Sequence, residues 1–179
     1  MGLFVHLKKT MLSKKDAVAA GGFLTYIAKA PEKEVTAAIC SNTKAFVKFL
    51  DAIPSKKRKY AYAAGKWTIR ELLQHIIDAE RVFTYRALRT ARLDATPMPG
   101  FDENNWAAAA NKNSRKWDSL VKEFTALRAS TELLFDSLNE EELLFTGTAS
   151  NIPINALALG YVIAGHTSHH MDIIRERYL

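Results

Sequence analysis

The sequence predicts an all-α protein built as a four-helix bundle. Three observations lead there. Four long segments carry apolar residues at helical spacing, no stretch of any length alternates with strand period, and two connections between segments are too long for tight hairpins. At 179 residues the chain suits one domain with a sizeable core. Eight Gly and five Pro leave room for elements of that length.

The first helix is expected from about residue 31 to 52. Pro31 suits a first turn, Glu32 and Glu34 suit the positive end of the helix dipole, and Pro54 lies just past the end. Val35, Ile39, Phe46, Val47 and Leu50 supply its apolar stripe. The stretch "FLTYIAK" ahead of it reads as an extra turn of helix. Residues 1–23 read as a mobile leader outside a single domain spanning 24–179. The leader lacks the continuous apolar run of a secretory signal and the Ser/Thr at position six that favours myristoylation.

The second helix is expected from Thr68 to about Ala91. Thr68 with Glu71 three residues on makes the capping-box pattern. Leu72, His75, Ala79, Val82 and Phe83 share one face, with Arg70, Glu80, Arg81 and Arg89 mostly off it. The crossover "ATPMPGFDENNWAAAANKN" follows, with a short alanine helix at its end. The third helix is expected from about 113 to 138, its seam formed by Trp117, Leu120, Phe124, Leu127, Leu134 and Phe135. "NEEELLFTGTASNIP" leads to the fourth, from about 154 to 177.

Charge and cysteine content narrow the function classes. The net charge of +6 is uneven: residues 1–60 hold twelve Lys/Arg against four Asp/Glu, and the remainder thirteen against fifteen. The excess lies in the leader and in "SKKRKY" (55–60), which reads as a solvated turn between helices. No basic stripe lies beside base-stacking aromatics, which argues against nucleic acid as a partner. No run of eighteen apolar residues is present, so no membrane helix is expected. One cysteine, Cys40, cannot form an intramolecular disulfide and points to a reducing, cytoplasmic setting, with the thiol as a small buried hydrophobe.

The five histidines carry the chemistry. His166 and His170 are four residues apart, one turn of one helix face. Stepping from them by three and four residues meets Leu159, Ile163, Ile173 and Ile174, so both point into the apolar stripe. Buried imidazoles need partners for their ring nitrogens, and a divalent metal serves both. His75 interrupts the stripe of the second helix in the same way. If those helices are neighbours, His75, His166 and His170 converge as a three-histidine site with an open coordination position. Zn, Ni, Fe and Mn are all compatible with such ligands. A lone core histidine, such as His75 taken singly, more often hydrogen-bonds a backbone carbonyl or carboxylate than a metal, and HxxxH without a zincin glutamate is a moderate signal. His169 is rotated by about 100° from His170 and belongs to a neighbouring face or supports the site from outside. His6 reads as incidental. Asp78, three residues after His75, is either a proton-handling group or a helix-pairing carboxylate. Trp67 and Trp106 read as core or interface aromatics, with Trp106 a candidate for a pocket mouth.

The segments "AGKWTIRELLQHIIDAERVFTYRALR", "PGFDENNW", "FTALRASTELLFDSL" and "AGHTSHHMDIIRERYL" together resemble the DinB-like superfamily. The nearest branch includes bacillithiol transferases and proteins labelled metal-dependent hydrolases. The resemblance spans about residues 24–179. It implies a bundle with an up-up-down-down arrangement, often a homodimer, and a metal on one histidine of the second helix and two of the last. Residue by residue these fall on His75, His166 and His170. Its characterised members imply a metal-dependent thiol S-transferase, with a small-molecule thiol presented to an electrophile as a metal-bound thiolate. Hydrolysis by metal-activated water and a non-catalytic stress-related metal- or ligand-binding role are the alternatives.

Overall fold

The computed structural model describes residues 12–31, 33–111 and 115–179. Seven α-helices occur among them: α1 (Gly22–Lys29), α2 (Val35–Ala52), α3 (Ile69–Ala91), α4 (Glu103–Asn111), α5 (Trp117–Ser137), α6 (Glu140–Leu144) and α7 (Ala156–Arg177). The four long ones, α2, α3, α5 and α7, are the expected bundle. The start expected for the third helix, at 113, lies outside the described residues.

Local chemistry sets the helix ends. The Glu34 carboxylate accepts from the amides of Thr36 and Ala37 and caps α2. Thr68 and Glu71 form the reciprocal capping box that starts α3. Asn155 caps α7 through Ala158 N, two residues beyond the expected start. Residues just before it pair in a hairpin, β1 (Thr146–Ala149) against β2 (Ile152–Asn155), contrary to the all-helical expectation. Its strands are four residues each, too short for alternation to register. Ser150 and Asn151 both have positive φ, as a two-residue turn matched to strand twist requires.

The bundle runs up-down-down-up, and this corrects the up-up-down-down order implied by the resemblance. Asn42 bonds Ser168, and Tyr161 bonds the Lys33 carbonyl, so α2 and α7 are parallel. Glu80 pairs with Arg128 and Thr84 with Thr131, while Arg115 reaches Gln74, so α3 and α5 are parallel as well. Trp67 meets Tyr178 and His75 meets His166, which sets α3 antiparallel to α7. The chain between α3 and α5 therefore returns along the whole bundle, and its length serves that return.

Two apolar clusters fill the interior. One gathers Val35, Ile39, Phe83, Phe135 and the first half of α7; the other gathers Phe46, Leu50, Leu73, Phe124, Met171 and Ile174. Between them lies a polar layer: Asn42, His75, Glu80, Arg128, Thr131, His166, Thr167 and His170 are all buried. The α5 seam departs from the expected one here. Arg128 and Thr131 face inward, and Leu127 and Leu134 are only half-buried.

Helix α1 packs along α7 where a side chain is missing. A Cβ on Gly165 would overlap the Tyr26 carbonyl, so glycine permits this approach. The residues ahead of α1, expected to belong to a leader, are tied to the domain from residue 12 onward. Val18 and Asn155 exchange hydrogen bonds, and Lys14 Nζ donates to the Ala30 carbonyl. Residues 1–11, including His6, lie outside the described residues. Among the described residues no helix is long and apolar enough to cross a membrane.

Candidate metal centre

His75 stands on the second turn of α3, and His166 and His170 stand one turn apart on α7. Antiparallel packing of those two helices brings the three rings together. His75 Nε2 lies 3.1 Å from His166 Nε2, which lies 3.0 Å from His170 Nε2. All three are buried, and their ligand atoms fall within 4.8 Å of one another. The expected convergence of the two helices is thus present in the geometry.

Burial pushes the His75 imidazole down to about 4. His170 falls to about 3, first from burial and then from the His75 and His169 charges. His166 is held well below its ordinary value by burial, then by the other three rings and Arg128. All three are neutral near pH 7. In a neutral imidazole one nitrogen carries the proton and the other a single in-plane lone pair. His166 Nε2 faces two nitrogens and can satisfy one of them, so the three rings do not close as a hydrogen-bond network. His170 Nδ1 is also buried without a partner among the described residues.

A divalent ion fits this donor set. It accepts three lone pairs at once, and metal–nitrogen bonds of about 2.0–2.1 Å in tetrahedral geometry separate the nitrogens by roughly 3.4 Å. The observed separations are close to that. Because burial already holds the rings in the neutral form, protons would compete with a metal for them only at low pH.

Aromatic rings wall the centre. Tyr26 and Phe83 meet the His166 ring edge-to-face at 5.1 and 5.5 Å, and Trp67 lies 4.9 Å from His75. Tyr26 also touches His169 at 5.5 Å, so His169 packs beside the triad, outside it. Sequence periodicity placed Phe83 on this face and treated Trp67 as core, but Tyr26 was missed. The only trace of it is Gly165, the residue before His166, which marks a close approach without naming the partner.

Asp78 does not reach the triad. It accepts from Gln74 and lies 4.0 Å from Arg81. Glu80, expected on the exterior, is buried and paired with Arg128 at 2.6 Å. Its neighbour Arg81 is the exterior member, bound to Glu123 at 2.5 Å. Trp106 sits on α4, 44% exposed, against Phe101.

A family model described as the DinB superfamily matches residues 41–174. A curated relative from Oceanobacillus iheyensis, "Putative metal-dependent hydrolase OB0413", is 26% identical over 128 residues, covering 70% of this chain and 73% of its own. Among solved structures, the chain resembles YfiT from Bacillus subtilis, described as "a probable metal-dependent hydrolase with an unusual four-helix bundle topology". That match has a TM-score of 0.62 over 86% of this chain and 84% of the other, at 18% identity, a likeness of fold.

Proposed function

The chain belongs to the DinB superfamily, and we propose that it is a metal-dependent enzyme whose divalent ion is held by His75, His166 and His170. The observation that carries this reading is the convergence of three buried, neutral imidazole nitrogens that cannot satisfy one another. Three protein ligands leave coordination open, and there the ion supplies a Lewis acid that lowers the pKa of a bound thiol or water.

The reaction we assign is transfer of a low-molecular-weight thiol to an electrophile. A thiol titrates near about 8.5 and needs little further acidification at neutral pH, whereas water starts near about 15.7 and commonly needs a base as well. The charges that act on the three rings are one another, His169 and Arg128. Nearby carboxylates are committed elsewhere: Asp78 to Gln74, and Glu80 to Arg128 and Thr131. Such a site suits a nucleophile that requires no separate base. Tyr26, Trp67 and Phe83 exclude water around the rings and so strengthen every charge interaction inside. The name of the Oceanobacillus relative favours hydrolysis as a second reading.

Elemental analysis of untagged protein is expected to give one divalent ion per chain, lost on His75→Ala, His166→Ala or His170→Ala. Metal-loaded protein offered a thiol and a chlorinated aromatic electrophile is expected to form the conjugate, and chelation to abolish it. Ester or amide cleavage without thiol would replace S-transfer by hydrolysis. Full metal retention in His75→Ala would remove the site itself.

A further inference from the structure

The run "SKKRK" (55–59) is left unexplained by the metal centre. Its members divide. Lys57 Nζ donates to the Tyr178 carbonyl at the end of α7, the negative end of a helix where a cation is favoured. Arg58 and Lys59 face the other way. With Ser55, Arg70, Arg115, Lys116, Trp117 and Asp118 they line a concave pocket of about 480 Å³.

That pocket concentrates unbalanced positive charge. It has five cationic side chains and one carboxylate, Asp118. Arg115 is engaged by Glu123. Arg58 lies over the Trp117 ring at 4.9 Å, and among the described residues its side chain donates only to the Ile53 carbonyl. Among the described residues, Arg58, Lys59, Arg70 and Lys116 are in no ion pair. The segment is fixed in place, because Arg70 N donates to the Arg58 carbonyl.

The helix directions sharpen the conflict. Because α3 and α5 are parallel, both positive helix ends lie at this end of the bundle. Arg70 sits in the first turn of α3, where the carboxylate of Glu71 is taken up by the Thr68 capping box, and Lys116 is the N-cap of α5, which has no side-chain cap and carries Asp118 in its first turn. Cations are disfavoured at helix N-termini. Local conflicts of this kind are characteristic of functional sites. An anion in the pocket would relieve it, with Arg58 and Arg70 offering planar donor forks suited to phosphate.

We propose that this pocket binds a phosphate-bearing small molecule, independently of the histidine centre. Its size falls within the range of small-molecule sites, and it combines guanidinium groups, a hydroxyl and an aromatic wall.

The test is a titration of the full-length, metal-loaded protein with inorganic phosphate, followed by NMR on the indole N–H signals of Trp67, Trp106 and Trp117. Saturable movement of Trp117 is expected, with affinity falling as salt rises. Arg70→Gln combined with Arg58→Gln is expected to weaken binding at least about tenfold. Arg70→Lys should retain part of it, and circular dichroism should show all variants folded. Arg92→Gln, on a surface pair with Glu142, should leave binding unchanged. No saturable response, movement of Trp67 in place of Trp117, or equal loss in Arg92→Gln would overturn the proposal. So would a DNA duplex that binds through Arg58 and Arg70 while phosphate does not.

Discussion

Replacing Glu80 by Gln or Arg128 by Met should destabilise the protein by similar amounts at neutral pH. The Arg128 side chain is 0% exposed and that of Glu80 2%. Arg128 donates from Nε to Glu80 at 2.6 Å, from Nη1 to Asn42 at 3.0 Å, and from Nη2 to Thr167 at 2.5 Å and the Ile163 carbonyl at 3.2 Å. These bonds join α2, α3, α5 and α7 in the layer that holds the triad. Removing one member of a buried pair leaves the other charge uncompensated, at a cost of about 3–5 kcal/mol. In Glu80→Gln the orphan is a buried guanidinium, and in Arg128→Met it is a buried carboxylate that keeps, among the described residues, only Thr131 as a side-chain partner. Urea unfolding at pH 7, each variant referred to wild type, measures the loss. Losses below about 1 kcal/mol for both would mean that the pair is solvated.

Other outcomes follow from the same geometry. Gly165→Ala should cost about 1–3 kcal/mol or more, because its Cβ overlaps backbone at Tyr26. Gly160→Ala should cost less, because its Cβ would meet side chains, Val35 Cγ2 and the Phe135 ring at 2.7 Å, which can shift as backbone cannot; equal midpoints in denaturant would contradict this ordering. The metal-free protein should lose stability as pH falls from about 6.5 towards 4. The unfolded rings protonate near 6.5 while folded His75 and His170 hold out to about 4 and about 3. Because the unfolded state then binds more protons, each ring contributes a loss of about 2 kcal/mol between pH 7 and 5. A flat profile over that range would refute the burial of the triad. Bound metal should raise the unfolding midpoint of wild type and leave that of His166→Ala unmoved.

The four helices and the inward pair His166/His170 were legible because periodicity reports which face of a segment is apolar. It does not report which faces meet. His75 was placed with the pair through one shared property, an imidazole in an apolar stripe, together with the family resemblance. Arg128 has no such local signature. It stands four residues after Phe124 and seven before Phe135, at core spacing, yet its charge read as surface. Only the partners supplied by Glu80, Asn42 and Thr167 make its burial tolerable, and they come from three other helices.

The chain by itself determined the approximate helix positions, the Thr68 cap of α3 and the two inward histidines of α7, because these depend on residues within one or two turns. Tertiary structure decided the rest. It made α3 and α5 parallel, laid α1 and Tyr26 across Gly165, and brought a third imbalance of polarity, His75, within 3.1 Å of His166. Contacts of that kind join residues ninety-one positions apart, and their geometry exists only once the helices have packed.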